Sequence, residues 1–403
     1  MAKPVLSVCM IVRDEEESLP RCLESVREVA DELIVVDTGS TDATRQIAAS
    51  FGAKVINFPW KDDFSAARNA SLEAASGRWV LQIDADEELV REDVPKVMEL
   101  LGDKTRVGFL LQIINLAGED QQHSVPWSFP SLRLFRNYKR HRYAGIVHEQ
   151  VQLPGAQQAG IGFAEVRLRH YGYLRPRLDE REKGRRNMEL IRNALERKPN
   201  DPFNLYILAN EHMAAGEYDQ SLQAYGKAYS ILKPPLPLYF PKLLRNLVSC
   251  LRELGRWQES IEAAEIAQRD FDDYTDLEFL KGLSYLEHNQ AEAAVKAFSR
   301  CLDLGEAPPL YDTQQGVGGW RAHLGLGIAY SQMGDDDQAA EHLTATLKEK
   351  PGEALAAGHL AVVLARRFGT EETQARLATL ADFAAPGVSE AVEQAIARTP
   401  LMP

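Results

Sequence analysis

The sequence of 403 residues has little cysteine and no long hydrophobic run. Its four cysteines form no CxxC pair and follow no zinc-finger spacing, so we expect four reduced thiols: Cys9, Cys22, Cys250 and Cys301. No apolar stretch approaches the roughly 18 residues of a membrane span. The N-terminal apolar stretch is too short and is followed too soon by acidic residues to be a signal peptide. We therefore expect a cytoplasmic protein with no transmembrane segment.

Basic residues are also in short supply. Lys and Arg number 46 against 59 Asp and Glu, which gives a formal net charge of −13. A general nucleic-acid binder needs dense positive charge to release counterions, so the sequence predicts no nucleic-acid partner. The hydrophobic fraction of 45% and the charged fraction of 26% are ordinary for a globular protein. This length predicts two or three domains.

Residues 1–174 alternate short apolar runs with helical patterns. Such alternation with short connections predicts an α/β domain with a mostly parallel sheet. A cap at Ser40 or Thr41 is expected for the second helix. The predicted strands are Val5–Val12, Leu33–Val36, Lys54–Phe58 and Trp79–Ile83, and the predicted helices are Ser18–Val29, Thr41–Phe51 and Phe64–Ala75.

From about residue 175 the strand pattern ends and a helical repeat begins. Aligning the residues between predicted helices gives a period near that of the tetratricopeptide repeat: Gly216, Gly255, Asn289, Gly334 and Gly369. Small residues recur seven positions earlier (Gly282 and Gly327), and large ones nine positions later (Phe298 and Leu343). We predict a linking helix over 175–198, an all-α solenoid of repeats over 199–385 and a tail over 386–403. An irregular helical domain is the alternative.

Two carboxylates follow the fourth predicted strand, Asp84 and Asp86 in IDADEE. Carboxylates two residues apart on such a turn can bind a Mg²⁺ or Mn²⁺ ion together with the phosphates of a ligand. A solvated acidic turn is the alternative. Polar residues also end the earlier strands, around Asp14 and at Asp37, and Arg68 precedes the fourth. In open parallel sheets, ligands bind at the edge formed by the carboxyl ends of the strands.

Four ordered segments resemble glycosyltransferase family two: MIVRDEEESLPRCLESV, ADELIVVDTGSTDATRQIA, PWKDDFSAARNASLEAASGRWVLQIDADEEL and YAGIVHE. The resemblance covers roughly residues 4–172 and implies the nucleotide-binding GT-A fold and, as is usual in the family, an inverting transfer. One branch of the family joins this domain to tetratricopeptide-like helices, and the chain resembles that branch. Some bacteriocin S-glycosyltransferases share the layout.

The resemblance implies roles for the strand-end residues. Asp37 would contact the nucleobase, and Val12, Asp14 and Glu15 would lie beside the base and ribose. Arg68 would balance phosphate charge. Asp84 and Asp86 would hold the ribose and the metal–diphosphate group. The alternatives are a capped turn at Asp37 and, for Arg68, a surface ion pair with Asp62 or Asp63.

An inverting transfer needs a base that takes the proton of the acceptor. Many relatives have an acidic pair where this chain has His148 and Glu149, so the two roles stay open. We favour Glu149 as the base and His148 as a neighbour that orients it or touches the metal. His170 is a candidate metal or phosphate ligand, and Trp127 a candidate stacking surface for a sugar. For each histidine and for Trp127, a purely structural role is the alternative.

Four arginines make a local basic patch that could hold the diphosphate or an acidic acceptor: Arg133, Arg136, Arg140 and Arg142. A solvated loop is the alternative.

These features favour a metal-dependent glycosyltransferase that uses a nucleotide-sugar donor, which we expect to be a UDP-sugar, with Mn²⁺ or Mg²⁺. The repeats could hold a peptide or protein acceptor or form a homodimer, and a glycan or lipid-linked acceptor is the alternative. A non-enzymatic scaffold with a degenerate first domain is a second hypothesis. A nucleotidyltransferase is a third, although the first strand lacks a Gly-rich phosphate loop.

Overall fold

The structure is a computed structural model that describes residues 4–117, 127–145, 149–153, 160–173, 178–234 and 236–398. The chain forms two compact units, residues 1–211 and 212–403. The predicted boundary between the domains lay near residue 174, and the structure instead groups the following helix with the first unit.

Four parallel strands form one half of the sheet of the N-terminal unit, in the order β3-β2-β1-β4. Three helices connect these strands, as the alternating pattern predicted. The strands are β1 (Leu6–Val12), β2 (Glu32–Asp37), β3 (Lys54–Asn57) and β4 (Trp79–Gln82), and the helices are α1 (Leu19–Val26), α2 (Thr44–Ser50) and α3 (Phe64–Ala74).

The other half of this unit is mixed, so the sheet is less parallel than predicted. Beyond β4 the strand order continues β7-β6-β10-β5, in which only β6 and β10 run parallel. Strands β8 and β9 pair separately. The elements are β5 (Glu87–Leu89), a 3₁₀ turn (Arg91–Asp93), α4 (Val94–Leu100), β6 (Gly108–Ala117), β7 (Trp127–Arg136), β8 (Arg142–Ala144), β9 (Gln150–Gln152) and β10 (Ile161–Tyr173).

Helix α2 begins three residues later than predicted and has no side-chain cap. The expected capping residues are engaged elsewhere. The Ser40 hydroxyl accepts a hydrogen bond from the Asp14 amide at 3.0 Å, and the Thr41 amide donates to the Asp14 carboxylate at 2.7 Å. These side chains therefore join the loops after β1 and β2 instead of starting the helix.

The C-terminal half of the chain is helical. All five residues aligned in the sequence lie between consecutive helices and have positive φ angles, from 57° at Asn289 to 78° at Gly334. Glycine adopts this conformation without a Cβ penalty, which explains its recurrence there. The helices are α5 (Leu178–Arg197), α6 (Pro202–Ala214), α7 (Tyr218–Ile231), α8 (Phe240–Glu253), α9 (Trp257–Ala267), α10 (Thr275–Glu287), α11 (Ala291–Leu304), α12 (Trp320–Met333), α13 (Asp336–Glu349), α14 (Ala354–Phe368), α15 (Thr370–Leu377) and α16 (Val388–Arg398).

Close packing explains the small residues of the repeat. A Cβ added at Gly282 would lie 2.7 Å from the Phe298 ring, and one at Gly327 would lie 2.5 Å from Leu343. These are the small and large positions that the alignment paired. The segment 386–403 was expected to be a tail, but it contains helix α16, whose Val388 and Val392 are buried. Among the described residues, no helix is long and apolar enough to span a bilayer.

Candidate active site

The ends of β1 and β2 lie side by side, since Val12 pairs in register with Asp37. The Thr38 amide and hydroxyl both donate to the Val12 carbonyl, at 3.0 and 3.1 Å. Asp37 is fully buried, and its Oδ1 accepts a hydrogen bond from the Ser40 amide at 3.1 Å. Arg45 lies 3.8 Å from the same carboxylate. Asp37 therefore forms a turn with Ser40, as the alternative to a nucleobase contact proposed. It also stands at the strand end where that nucleobase contact is predicted.

The loop after β1 is held in an uncommon backbone conformation. Asp14 has a φ of 53°, which few residues other than glycine adopt. Its carboxylate accepts the Thr41 amide, and the Glu15 amide donates to the Thr44 hydroxyl at 2.8 Å. This loop is therefore fixed against the start of α2, beside Val12 and Asp37.

Helix α3 brings Arg68 to the end of β4. Asp63 caps this helix by accepting the Ala66 amide at 3.0 Å, and Asp62 accepts the Trp60 indole N–H at 2.8 Å. Asp62 and Asp63 thus bond to Trp60 and Ala66, and not to Arg68. Arg68 is instead 9% exposed, with its Nη2 2.9 Å from Asp84 and its Nε in contact with Glu149.

Asp84 lies at the centre of a buried ion cluster. It is bound by Arg68 and also by Arg133 at 3.3 Å, while Arg133 reaches Glu87 at 2.6 Å. Burial opposes the charge of Asp84, but the two guanidinium groups outweigh it and hold its pKa well below the usual range. Burial raises the pKa of Glu87 to about 7 despite the opposing charge of Arg133. Ion pairs with Arg68 and Arg133 therefore fix the turn after β4 in place.

Asp86 contacts His170. The Nε2 of His170 lies 3.2 Å from Oδ2 of Asp86, and its Nδ1 lies 2.7 Å from Oδ1 of Asn115. The side chains of Asp86 and His170 are 29% and 22% exposed. Burial opposes protonation of His170, but the hydrogen bond and charge of Asp86 outweigh it and raise its pKa. A carboxylate oxygen and an imidazole nitrogen therefore meet where solvent reaches both.

The sheet register aligns these residues in one row. Glu87 of β5 pairs with His170 of β10, His170 pairs with Asn115 of β6, and Asn115 pairs with Trp127 of β7. Neighbouring strands lie ~4.8 Å apart, so the backbone of Trp127 is ~10 Å from that of His170. Trp127 is half-buried at this row. Its contact with a sugar stays a prediction.

Glu149 precedes β9 with a side chain that is 7% exposed and in contact with Arg68. In this arrangement its carboxylate faces the guanidinium group and not an open surface. Asn69, next to Arg68 on α3, holds the neighbouring strand β8: it donates to the Tyr143 carbonyl at 2.9 Å and accepts the Tyr143 amide at 2.8 Å. His148 lies outside the described residues.

The four arginines of the predicted patch have separate surroundings. Arg133 belongs to the ion cluster, whereas Arg136 lies over the Trp79 ring at 4.0 Å. Arg140 lies 5.5 Å from the Tyr138 ring, and Arg142 donates to the His141 carbonyl at 2.8 Å. Arg133 is therefore the member of the patch that contacts the acidic turn.

Sequence reasoning missed Asn115 and gave no role to Glu87. Asn115 stands in the apolar strand FLLQIINLA and is 1% exposed. An amide in such a run was a usable signal, because buried polar groups have hydrogen-bond partners. Glu87 follows the two aspartates directly, but only the register of β5 with β10 shows that it lies beside His170.

Comparisons with known proteins agree with both halves of this description. Residues 7–154 match the family model of glycosyl transferase family 2. Residues 244–309 and 322–355 match tetratricopeptide repeat models. The chain therefore contains a family 2 glycosyltransferase domain followed by tetratricopeptide repeats.

Individual relatives cover parts of the chain. A TPR repeat-containing protein of Synechococcus elongatus is 37% identical over 272 residues, 66% of this chain and 66% of that protein. The prophage-derived glycosyltransferase SunS of Bacillus subtilis is 27% identical over 52% of this chain and 49% of its own length. An uncharacterized glycosyltransferase of Rickettsia typhi is 42% identical over 22% of this chain and 30% of that protein. The chain thus spans between about a third and two thirds of the length of these relatives.

Proposed function

We propose that the protein transfers a sugar from a nucleotide-sugar, which we expect to be a UDP-sugar, to an acceptor by an inverting reaction. One observation carries this proposal: in a family 2 domain, Asp37, Arg68, Asp84 and Asp86 stand together at or beside the carboxyl ends of β2 and β4. That edge is where open α/β sheets bind ligands.

Buried N–H groups support a diphosphate site. Among the described residues, Nη1 of Arg68 and Nε of Arg133 have no hydrogen-bond partner. A buried donor without an acceptor is costly, and phosphate oxygens are the acceptors that guanidinium groups match best. The guanidinium groups of Arg68 and Arg133 both bind Asp84. A diphosphate that accepted their free N–H groups would therefore lie beside the acidic turn.

The donor set fits a divalent cation held by few protein ligands. Asp84 is engaged by two arginines, which leaves Asp86 and His170 as the groups that meet at a partly exposed point. The described residues contain no cluster of three or more His, Cys, Asp or Glu side chains with metal-site geometry. Mn²⁺ or Mg²⁺ would therefore take its remaining ligands from the donor phosphates. When bound, it would stabilise charge on the leaving diphosphate.

Glu149 is the base in this proposal. The acceptor atom attacks the anomeric carbon as the bond to the diphosphate breaks, and its proton passes to the Glu149 carboxylate. Glu149 contacts Arg68 in the structure, so it must first be released. A bound diphosphate would compete for Arg68, which provides a physical reason for release when the donor binds. His148 stays a candidate neighbour of the base.

The repeats are proposed to hold a peptide or protein acceptor, because stacked helical hairpins commonly present such a surface. A glycan or lipid-linked acceptor and a homodimer through the repeats are alternatives. A cytoplasmic location is proposed on the four cysteines, all free and buried.

A donor screen tests the function. The protein is incubated with several nucleotide-sugars and Mn²⁺ or Mg²⁺, and free nucleotide is measured. Release from one donor that chelation abolishes is the expected result. No release from any donor, with or without candidate acceptors, would favour a non-enzymatic scaffold. Diphosphate release from a nucleoside triphosphate with a sugar phosphate would instead indicate a nucleotidyltransferase.

A further inference from the structure

Among the described residues, the buried side-chain amide of Asn115 has one hydrogen-bond partner, His170. Asn115 lies directly opposite His170 in the parallel pair β6–β10. Its Oδ1 is 2.7 Å from Nδ1 of the imidazole, and the residue is 1% exposed. The contact is therefore fixed by strand register and shielded from water.

This contact determines which imidazole nitrogen can bind a cation. An amide oxygen only accepts hydrogen bonds, so Nδ1 of His170 must hold the proton. Nε2, the atom 3.2 Å from Asp86, is then the nitrogen that can exchange its proton for a cation and bind it through its lone pair. Partners of this kind on the far nitrogen fix both the tautomer and the ring orientation of histidine ligands.

A purely structural amide would be expected to use both of its polar groups. Among the described residues, however, Nδ2 of Asn115 has no hydrogen-bond partner. A hydrophobic residue of similar size would fill the strand position without leaving a buried donor unsatisfied. The chain tolerates this cost at a position that faces the imidazole.

Gly172 provides the space in which Asp86 and His170 meet. A Cβ at this position would lie 2.6 Å from Oδ2 of Asp86 and 2.7 Å from Nε2 of His170. The Tyr171 amide donates to the Asp86 carbonyl at 3.0 Å, which ties β10 to the acidic turn. A side chain at 172 would therefore push apart the two atoms that face each other.

We propose that Asn115 and Gly172 are positioning residues for a divalent-cation site. Asn115 holds a proton on Nδ1 of His170 and directs Nε2 toward Asp86, and Gly172 keeps the space between the two ligands open. This inference rests on the proposed function, because that function assigns the cation to Asp86 and His170.

The test measures Mn²⁺ affinity of the full chain with and without UDP, from the electron paramagnetic resonance signal of free Mn²⁺ and with Mn²⁺ bound by UDP alone subtracted. Asn115→Leu is expected to weaken binding about 10–100-fold, the range found when partners of metal ligands are removed. Asn115→Asp keeps an acceptor toward Nδ1 and should bind at least as tightly as the native protein. Gln112→Leu is the matched control, because this amide of the same strand contacts Ser128 at 3.1 Å and should leave the affinity unchanged.

Gly172→Ala provides a second variant that should fold. The atoms it would meet are the ends of two side chains, which can move, and the φ angle at 172 suits any residue. We expect a melting temperature close to native with Mn²⁺ affinity reduced at least 10-fold. A native-like affinity in both Gly172→Ala and Asn115→Leu would overturn the positioning role.

The proposed function can fail separately from this inference. If Asp86→Ala and His170→Ala abolish Mn²⁺ binding while Asn115→Leu and Gly172→Ala do not affect it, the cation site stands and the positioning role is wrong. If the native protein binds no Mn²⁺ even with UDP present, both are wrong. Loss of affinity in Asn115→Leu together with a large fall in melting temperature would also count against the proposal unless Asn115→Asp restores both.

Discussion

Each unit of the protein contains a buried ion cluster, and the two clusters differ in their exposure to solvent. In the N-terminal unit, Arg68 and Arg133 surround Asp84, whose side chain is still 30% exposed. In the C-terminal unit, Arg245 lies 3.4 Å from Asp276, which is 3% exposed. One cluster therefore opens toward solvent through a carboxylate, and the other is closed.

The closed cluster fastens the connection between α11 and α12. Asp276 accepts the Thr313 hydroxyl at 2.7 Å and the Gln314 amide at 2.9 Å, so both of its oxygens are used by that connection. Lys242 of α8 binds Asp312 of the same segment. Burial raises the pKa of Asp276, which is a cost of this arrangement.

The comparison shows that burial of charge alone does not identify a ligand site. Both clusters contain buried charged groups and perturbed pKa values, which are common at functional sites and also in structural networks. What separates them is the exposed pair Asp86 and His170 next to the first cluster. Substitutions in and beside each cluster can show whether the first cluster serves a ligand and the second serves the fold.

The largest effect is expected for Asp86→Ala. Removing a proposed cation ligand should lower metal-dependent nucleotide release by at least about 100-fold, more than the loss of a partner residue costs. The melting temperature should stay near native, because Asp86 lies at a partly exposed turn. Glu24→Ala, a surface acid whose side chain is 62% exposed, is the control and should keep full activity. Near-normal metal-dependent release in Asp86→Ala would mean that the cation site is wrongly assigned.

Glu149→Gln separates donor binding from transfer. The amide keeps the shape of the side chain but cannot take a proton, so product formation should fall about 100-fold or more. Donor affinity should not fall, because the neutral amide competes less with the diphosphate for Arg68. Product formation and donor binding by calorimetry are measured on the same preparation. His148→Ala should instead weaken metal or donor binding. The two roles must be exchanged if His148→Ala abolishes transfer and Glu149→Gln is mild.

Asp276→Ala tests the closed cluster. It leaves Arg245 with a weaker partner and deprives Thr313 and Gln314 of their acceptor, so we expect the free energy of unfolding to fall by about 3–5 kcal/mol. Nucleotide release per folded molecule should be unchanged below the unfolding transition. Asp303→Ala, an exposed acid of α11, should change neither quantity. A specific loss of activity at native stability would make this cluster functional.

The fold was predictable from the sequence where the apolar pattern of the strands and the period of the helical repeats were strong. The first four strands follow alternating apolar runs, and the five left-handed positions between helices were found from spacing alone. Strand β6 was not assigned, although it runs from Gly108 to Ala117. A continuous apolar run of this kind does not separate a buried strand from a helix, and the parallel partner β10, far along the chain, leaves no local signal.

The site was predictable residue by residue but not contact by contact. Asp37, Arg68, Asp84 and Asp86 were assigned together from motif order. That Asp84 binds two arginines while Asp86 faces His170 depends on the register of β5, β6 and β10, which are far apart in sequence. The capping role expected for Ser40 and Thr41 was wrong because both hydroxyl groups bond to Asp14 in the β1 loop.

The smallest effects concern glycines of the repeats. Gly327→Ala would place a methyl group 2.5 Å from Leu343, with the Leu343 amide nitrogen only 3.3 Å away, so it should destabilise the C-terminal unit by about 1–3 kcal/mol. Gly226, in the middle of α7, has open space around its Cβ position. Gly226→Ala should therefore stabilise this unit by about 0.5–1 kcal/mol, since alanine loses less backbone entropy in a helix. Denaturant unfolding followed by helical circular dichroism measures both, and opposite signs are expected. Equal effects would show that the recurring small residues reflect helix propensity and not close packing. Nucleotide release should be the same in both variants, because packing in this unit is proposed to support the acceptor surface and not the donor site.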